Sequence, residues 1–158
     1  MKVMKMNIVC YTDGACAGNP GPGGWGYLAV DPYTDKIIAA DSGRKAETTN
    51  NEMELTALYN ALDKYAVDKD EFFYPIIYTD SNYAYQTILN WMEVWASQGW
   101  TRAGNKPVAN LDLIKKIYAL WQVRRADLRW VKGHNGNKYN ELADKLATGK
   151  LKSQDILD

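Results

Sequence analysis

"IVCYTDGAC" (Ile8–Cys16) and "IIYTDSNY" (Ile76–Tyr83) are short apolar runs that end in one tripeptide, Tyr11-Thr12-Asp13 and Tyr78-Thr79-Asp80. From Asn7 to Asp13 apolar side chains fall on both faces, the pattern of a central strand buried on two sides. Asp is disfavoured inside strands. Taken alone, Asp13 would open a turn and Asp80 would lead into or cap a helix. Together they say more. If the two strands are parallel neighbours, their C-terminal ends lie side by side, where open α/β sheets bind ligands. Two carboxylates held there repel each other, and one pKa rises unless a cation compensates. The residues flanking the two copies do not match, so the chain is not an internal repeat.

Outward from these runs the pattern alternates. "GNPGPGG" (Gly18–Gly24) reads as a turn, "WGYLAV" (Trp25–Val30) as a second strand and "KIIAADSGR" (Lys36–Arg44) as a third, an antiparallel meander. Helical spacing of Leu55, Leu58 and Leu62 follows, with Thr and Asn cap candidates ahead of it. "FFYPIIYTD" (Phe72–Asp80) returns to strand, Ser81 can cap a helix to about Leu89, and a Trp-rich segment and a loop precede the amphipathic "LDLIKKIYALW" (Leu111–Trp121). "DLRWV" (Asp127–Val131) is a short strand, "KGHNGNKY" (Lys132–Tyr139) a polar loop, and "NELADKLATG" (Asn140–Gly149) a last helix with a glycine C-cap. The order β-β-β-α-β-α-α-α-β-α is that of an α/β layer with a mixed sheet.

The 158 residues suit one domain, and 46% hydrophobic residues suffice for a core. The formal net charge is zero, so a polyanion would have to be bound by local charge. Cys10 and Cys16 show neither metal spacing nor a disulfide framework, which points to a reducing compartment. "MKVMKMNIVCY" lacks the features of a leader, and no run reaches membrane-spanning length. The expectation is a cytoplasmic protein with no membrane partner.

Further carboxylates fit the pair. Glu54 shares a helix face with Ala57, Leu58 and Ala61, though complementing the helix dipole would also explain it, and Glu52 fits that role as well. Asp144 sits between Ala143 and Ala147 spacing on the last helix, where pairing with Lys145 or Lys138 would account for it alone. Four acidic residues at the inner edges of two strands and two helices would make an all-oxygen cluster, suited to magnesium or manganese. Two such ions roughly 4 Å apart can clamp a phosphodiester and activate water.

Six blocks carry a resemblance: "YTDGACAGNPGPGGWG", "TTNNEMEL", "YTDSNY", the tryptophan spacing around Trp91, Trp95 and Trp100, "WVKGHNGN" and "NELADKLA". In order and spacing they resemble type 1 ribonuclease H over about Asn7–Thr148. The resemblance implies a ribonuclease H-like α/β fold: a five-stranded mixed sheet, strands 1–3 antiparallel and strands 4 and 5 parallel to strand 1, flanked by helices. It implies an endonuclease that hydrolyses the RNA strand of RNA–DNA hybrids with two Mg2+ ions, or Mn2+ as substitute, leaving 3′-hydroxyl and 5′-phosphate ends. Position by position, Asp13, Glu54, Asp80 and Asp144 match its metal-binding carboxylates. His134, the only histidine, matches a loop residue thought to help proton movement or product release. An intrinsic pKa of about 6.5 suits that work. Asn19, Asn50 and Asn51 match amides that meet the hybrid, although turn and cap roles also explain them. Trp91, Trp95 and Trp100 match the substrate-handling protrusion. By the same resemblance residues 1–149 form the catalytic domain, expected to be a monomer, and 150–158 a flexible tail. The chain reads as a stand-alone unit or as a segment of a longer protein such as a reverse transcriptase.

Two departures stand out. Asn90–Ala109 carries only Arg102 and Lys106 against Glu93, where well-known relatives are strongly basic. Arg124, Arg125, Arg129 and Lys132 could compensate. Asn82 stands where many members have Gln, a shorter amide at a position that touches the RNA strand. Rival readings keep the fold as a DNA nuclease or resolvase, or keep hybrid binding with an inert site. "NPGPGG" and "VKGH" argue against the first, and the complete carboxylate set against the second.

Overall fold

The protein is described here by a computed structural model that covers residues 7–133 and 136–157. Five strands make one sheet: β1 (Val9–Cys16), β2 (Gly21–Asp31), β3 (Lys36–Thr48), β4 (Ile76–Thr79) and β5 (Asp127–Trp130), in the order β3-β2-β1-β4-β5. β1 pairs antiparallel with β2 and parallel with β4, and β4 pairs parallel with β5. The mixed sheet thus puts β1 at its centre, as its two-sided apolar pattern required. Among the described residues five α-helices flank the sheet: α1 (Asn50–Tyr65), α2 (Asn82–Gln86), α3 (Met92–Ser97), joined to α2 by a π-helical turn over Thr87–Trp91, α4 (Leu111–Trp121) and α5 (Lys138–Thr148).

The period-2 alternation of β2 divides the core. Tyr27 and Ala29 join Leu55, Leu58, Leu62, Ile77, Ile114 and Ile117 in one buried cluster. Leu28 and Val30 join Ile37, Ala143 and Leu146 in the other, against α5. Burying a Leu or Ile side chain of this kind contributes about 1.5–3 kcal/mol. Helix starts are set by side chains that satisfy orphan N–H groups: Thr49 accepts from Glu52 N–H, Ser81 from Ala84 N–H, and Asn137 from Tyr139 and Asn140 N–H.

Several boundaries differ from the sequence reading. β1 runs on past Asp13 to Cys16, paired with β2, and β3 runs on past Arg44 to Thr48. β2 begins at Gly21, inside the segment read as a turn, because Gly23 and Gly24 pair with Cys16 and Ala15. The fourth strand shortens from Phe72–Asp80 to Ile76–Thr79, since its pairing with β1 starts at Val9–Ile76. Phe72 and Phe73, outside that pairing, are exposed. The last helix starts at Lys138 because Asn137 supplies its cap. Beyond Gly149, read as flexible tail, Leu151 and Ile156 pack against the α5-side cluster.

Candidate active site

The repeated tripeptide does the same work on two neighbouring strands. Tyr11 and Tyr78 are register partners, and their rings stack with centroids 5.2 Å apart. Thr12 Oγ1 donates to Tyr78 O at 2.8 Å, tying β1 to β4 one residue before Asp13. Thr79 Oγ1 accepts from Ser81 N–H at 3.1 Å, fixing the exit from β4 beside Asp80. Parallel register then carries both carboxylates to the same end of the sheet.

Glu54 comes from the second turn of α1, which lies against β1. Gly14 makes that approach possible: a Cβ there would stand 2.4 Å from Glu54 N and 2.4 Å from the Met53 carbonyl carbon. Any side chain would push α1 off the strand. One ligand oxygen from each of Asp13, Glu54 and Asp80 can be chosen so that all lie within 4.8 Å of one another. Asp13 is 5% exposed and Glu54 8%.

Burial, then the Asp80 charge, pushes the Asp13 carboxyl up to about 7, against the pull of hydrogen bonds from Glu54 and from Gly14 N–H at 2.9 Å. Glu54 is raised well above the usual carboxylate range, first by burial and then by the charges of Asp13 and Asp80. Glu54 Oε2 is buried with no hydrogen-bond partner among the described residues. Leaving such an atom unsatisfied costs about 1–3 kcal/mol or more. A hard divalent cation answers all three facts, since it takes oxygen donors, offsets clustered negative charge and satisfies the orphan oxygen.

The other residues singled out in the sequence fall in several places. Asp144, on α5, lies outside that set of three, yet its charge contributes to raising Asp13. His134 lies outside the described residues. Asn19 and Asn50 are brought together, Asn19 Oδ1 accepting from Asn50 N–H at 2.9 Å, with Asn51 next in α1 and all three exposed. Their turn and helix-start positions coexist with free amide surface. Asn82 is exposed at the first position of α2. Trp91 and Trp95 meet at 6.0 Å, Trp91 40% exposed and Trp95 packed against the core, so only the first offers an open ring. Trp100 turns inward onto Tyr118.

Two features were not legible beforehand. Trp130 Nε1–H donates to Asp80 O at 3.1 Å, a contact between residues 50 apart for which the sequence holds no signal. Three of the four extra basic residues are also engaged by the protein itself: Arg124 pairs with Asp63, Arg129 with Asp127, and Arg125 donates to Trp121 O, while Lys132 is exposed.

Comparison with known proteins agrees with this architecture. A family model described as RNase H matches residues 5–152. A "Ribonuclease H" of Prosthecochloris aestuarii is 44% identical, covering 95% of this chain and 99% of that one. A "Ribonuclease HI" of Rickettsia conorii is 45% identical over 91% of this chain and 90% of its own. Among solved structures, LC9-RNase H1, titled a type 1 RNase H with the type 2 active-site motif, superposes with a TM-score of 0.72 at 29% identity, covering 94% of this chain and 72% of that one. LC11-RNase H1, solved in complex with RNA/DNA hybrid, gives 0.61 at 27% identity, covering 94% and 97%. Fold, carboxylate cluster and relatives converge: this chain belongs to the type 1 ribonuclease H family.

Proposed function

We propose that the protein is an endonuclease that hydrolyses the RNA strand of RNA–DNA hybrids, leaving 3′-hydroxyl and 5′-phosphate ends. The observation that carries this reading is the Asp13–Glu54–Asp80 set, with Asp13 and Glu54 buried, Asp80 half-buried and Glu54 Oε2 orphaned among the described residues. Asp13, Glu54 and Asp80, with Asp144 from α5, would hold two divalent cations, Mg2+ or Mn2+ in its place. When bound, such ions activate a water and stabilise charge on the phosphodiester.

The chain's own groups do the rest. The stacked Tyr11–Tyr78 pair and the Thr12–Tyr78 hydrogen bond keep the two strand ends rigid, so Asp13 and Asp80 do not drift apart under mutual repulsion. Gly14 N–H holds Asp13 Oδ1 in one orientation. Asn19, Asn50, Asn51 and Asn82 present amides that both donate and accept, suited to a 2′-hydroxyl or a base edge. The open ring of Trp91, backed by Trp95, offers a stacking surface. His134, which follows β5 and precedes α5 in the sequence, is assigned a role in moving a proton or releasing product. A monomer acting in the cytoplasm belongs to the same proposal. The free thiols of Cys10 and Cys16 fit a reducing compartment, and no helix among the described residues is long and apolar enough to cross a membrane.

The test is a panel of labelled RNA–DNA hybrid, duplex DNA and duplex RNA, each with Mg2+ and with Mn2+. The reading requires cleavage of hybrid RNA and no comparable cleavage of either duplex. Preferential cutting of duplex DNA would replace it with the DNA-nuclease reading.

A further inference from the structure

The peptide unit that joins Asp80 to Ser81 is held at both ends. Its carbonyl accepts from Trp130 Nε1–H at 3.1 Å, and its N–H donates to Thr79 Oγ1 at 3.1 Å. The two clamping residues are register partners on adjacent strands, Thr79 closing β4 and Trp130 closing β5. Thr79 is 1% exposed, so the core fixes its hydroxyl. Just past Trp130, Val131 N–H donates to Thr79 O at 2.9 Å, and Gly133 lies so close that a Cβ would stand 3.1 Å from Asp80 Oδ2. The end of β5 therefore wraps over Asp80.

This matters because the plane of that peptide sets the backbone rotation at Asp80, and with it the direction of the side chain. Asp13 and Glu54 lie within 4.8 Å of the Asp80 carboxylate. Like charges at that range push it away. An unclamped peptide would yield to that push, because β4 has already ended at Thr79.

We propose that Trp130 is a positioning residue: its indole N–H, acting with the Thr79 hydroxyl on one peptide, keeps Asp80 in a single ligand set with Asp13 and Glu54. The inference rests on the metal-dependent reading above and assigns part of its precision to a tryptophan that is 45% exposed and outside the carboxylate set.

The test uses the full chain and four substitutions: Trp130→Phe, which keeps a ring and loses the donor; Thr79→Val, which keeps shape and loses the hydroxyl; Thr79→Ser, which retains it; and Asp80→Asn. Mn2+ affinity without substrate is read by calorimetry, and kcat and KM on hybrid separately. Trp130→Phe should weaken Mn2+ binding about fivefold, the size of one hydrogen bond. It should lower kcat by a similar factor with KM unchanged. Thr79→Val should do the same and Thr79→Ser should not. The Trp130→Phe/Thr79→Val double variant should lose less than the product of the singles, because both act through one peptide. Wild-type Mn2+ affinity in folded Trp130→Phe overturns the proposal, whatever Thr79→Val does. So does a raised KM with unchanged kcat in Trp130→Phe, which would make the exposed ring a substrate contact. If Trp130→Phe fails to fold, the Val and Ser variants of Thr79 decide alone. Undiminished Mn2+ binding by Asp80→Asn would instead sink the metal reading of the site, a failure separate from that of Trp130.

Discussion

Glu54 and Asp13 bring carboxylate oxygens within 4.8 Å of each other in the interior, while Glu54 Oε2 has no hydrogen-bond partner among the described residues. Two carboxyl groups so placed are a strained arrangement for the protein alone and a ready one for a cation.

Stability should therefore depend on pH in an identifiable way. Burial and the neighbouring Asp80 charge push the Asp13 carboxyl up to about 7, well above the usual aspartate range, and Glu54 is shifted in the same direction. A raised acid pKa gives a contribution that is fully present below the unfolded value and is lost as pH rises through the folded one. Metal-free protein should lose stability as pH rises from about 4 to about 7, and the Asp13→Asn variant should lose less over that window. Melting temperatures of both proteins in chelator, taken across the range, check this. Identical slopes would contradict it.

Divalent metal should reverse the loss. A ligand that binds only the folded state stabilises by about 2.7 kcal/mol at a hundred times its Kd. For a chain of this size about 1 kcal/mol moves Tm by roughly 2–4 °C. Mn2+ at pH 8 should raise the wild-type Tm by several degrees and leave Asp13→Asn nearly unmoved. Equal shifts in both would show the ions binding elsewhere.

The contact between α1 and β1 should tolerate nothing larger than glycine. With backbone atoms 2.4 Å from a Cβ at Gly14, neither neighbour can rotate aside. Gly14→Ala should cost about 1–3 kcal/mol in urea unfolding, the range for overpacking. It should also lower hybrid cleavage, because Glu54 moves with α1. Wild-type stability and activity would mean the helix shifts freely.

Hybrid binding should respond weakly to salt. The protrusion offers Arg102 and Lys106, while Arg124 and Arg129 are already paired with Asp63 and Asp127. Each missing phosphate contact removes about 0.9 log unit of slope on B-DNA. A KCl titration of hybrid affinity should give a shallower slope than that of a strongly basic relative. An equal slope would mean that other cations reach the phosphates.

Much of this was readable because local chemistry and topology agree. The two-sided apolar pattern of Asn7–Asp13 marked the central strand, and Ser81 and Gly149 marked helix ends through a hydrogen-bonding group and a left-handed φ, while the cap of α1 fell to Thr49 rather than Asn50 or Asn51. Asp13 and Asp80 could be paired from their strand-end positions. What eluded the sequence was set by contacts between distant residues. Phe72 and Phe73 have strand-like composition, but no partner strand reaches them. Gly21–Gly24 has turn-like composition, but β1 is there to pair with it. The Trp130–Asp80 hydrogen bond spans 50 residues and leaves no periodic or spacing signal.

The central claim is that the buried carboxylates hold the ions that cut RNA. The most direct measurement is cleavage of an RNA–DNA hybrid, each strand labelled in turn, by wild type and by Asp13→Asn under matched Mg2+. Removing one electrostatic contributor to the transition state costs about 100-fold or more, and a lost metal ligand removes at least that much. The account expects wild type to cut only the RNA strand, to stop in chelator, and Asp13→Asn to fold normally with at least that loss. Folded Asp13→Asn protein cutting RNA at the wild-type rate would contradict it.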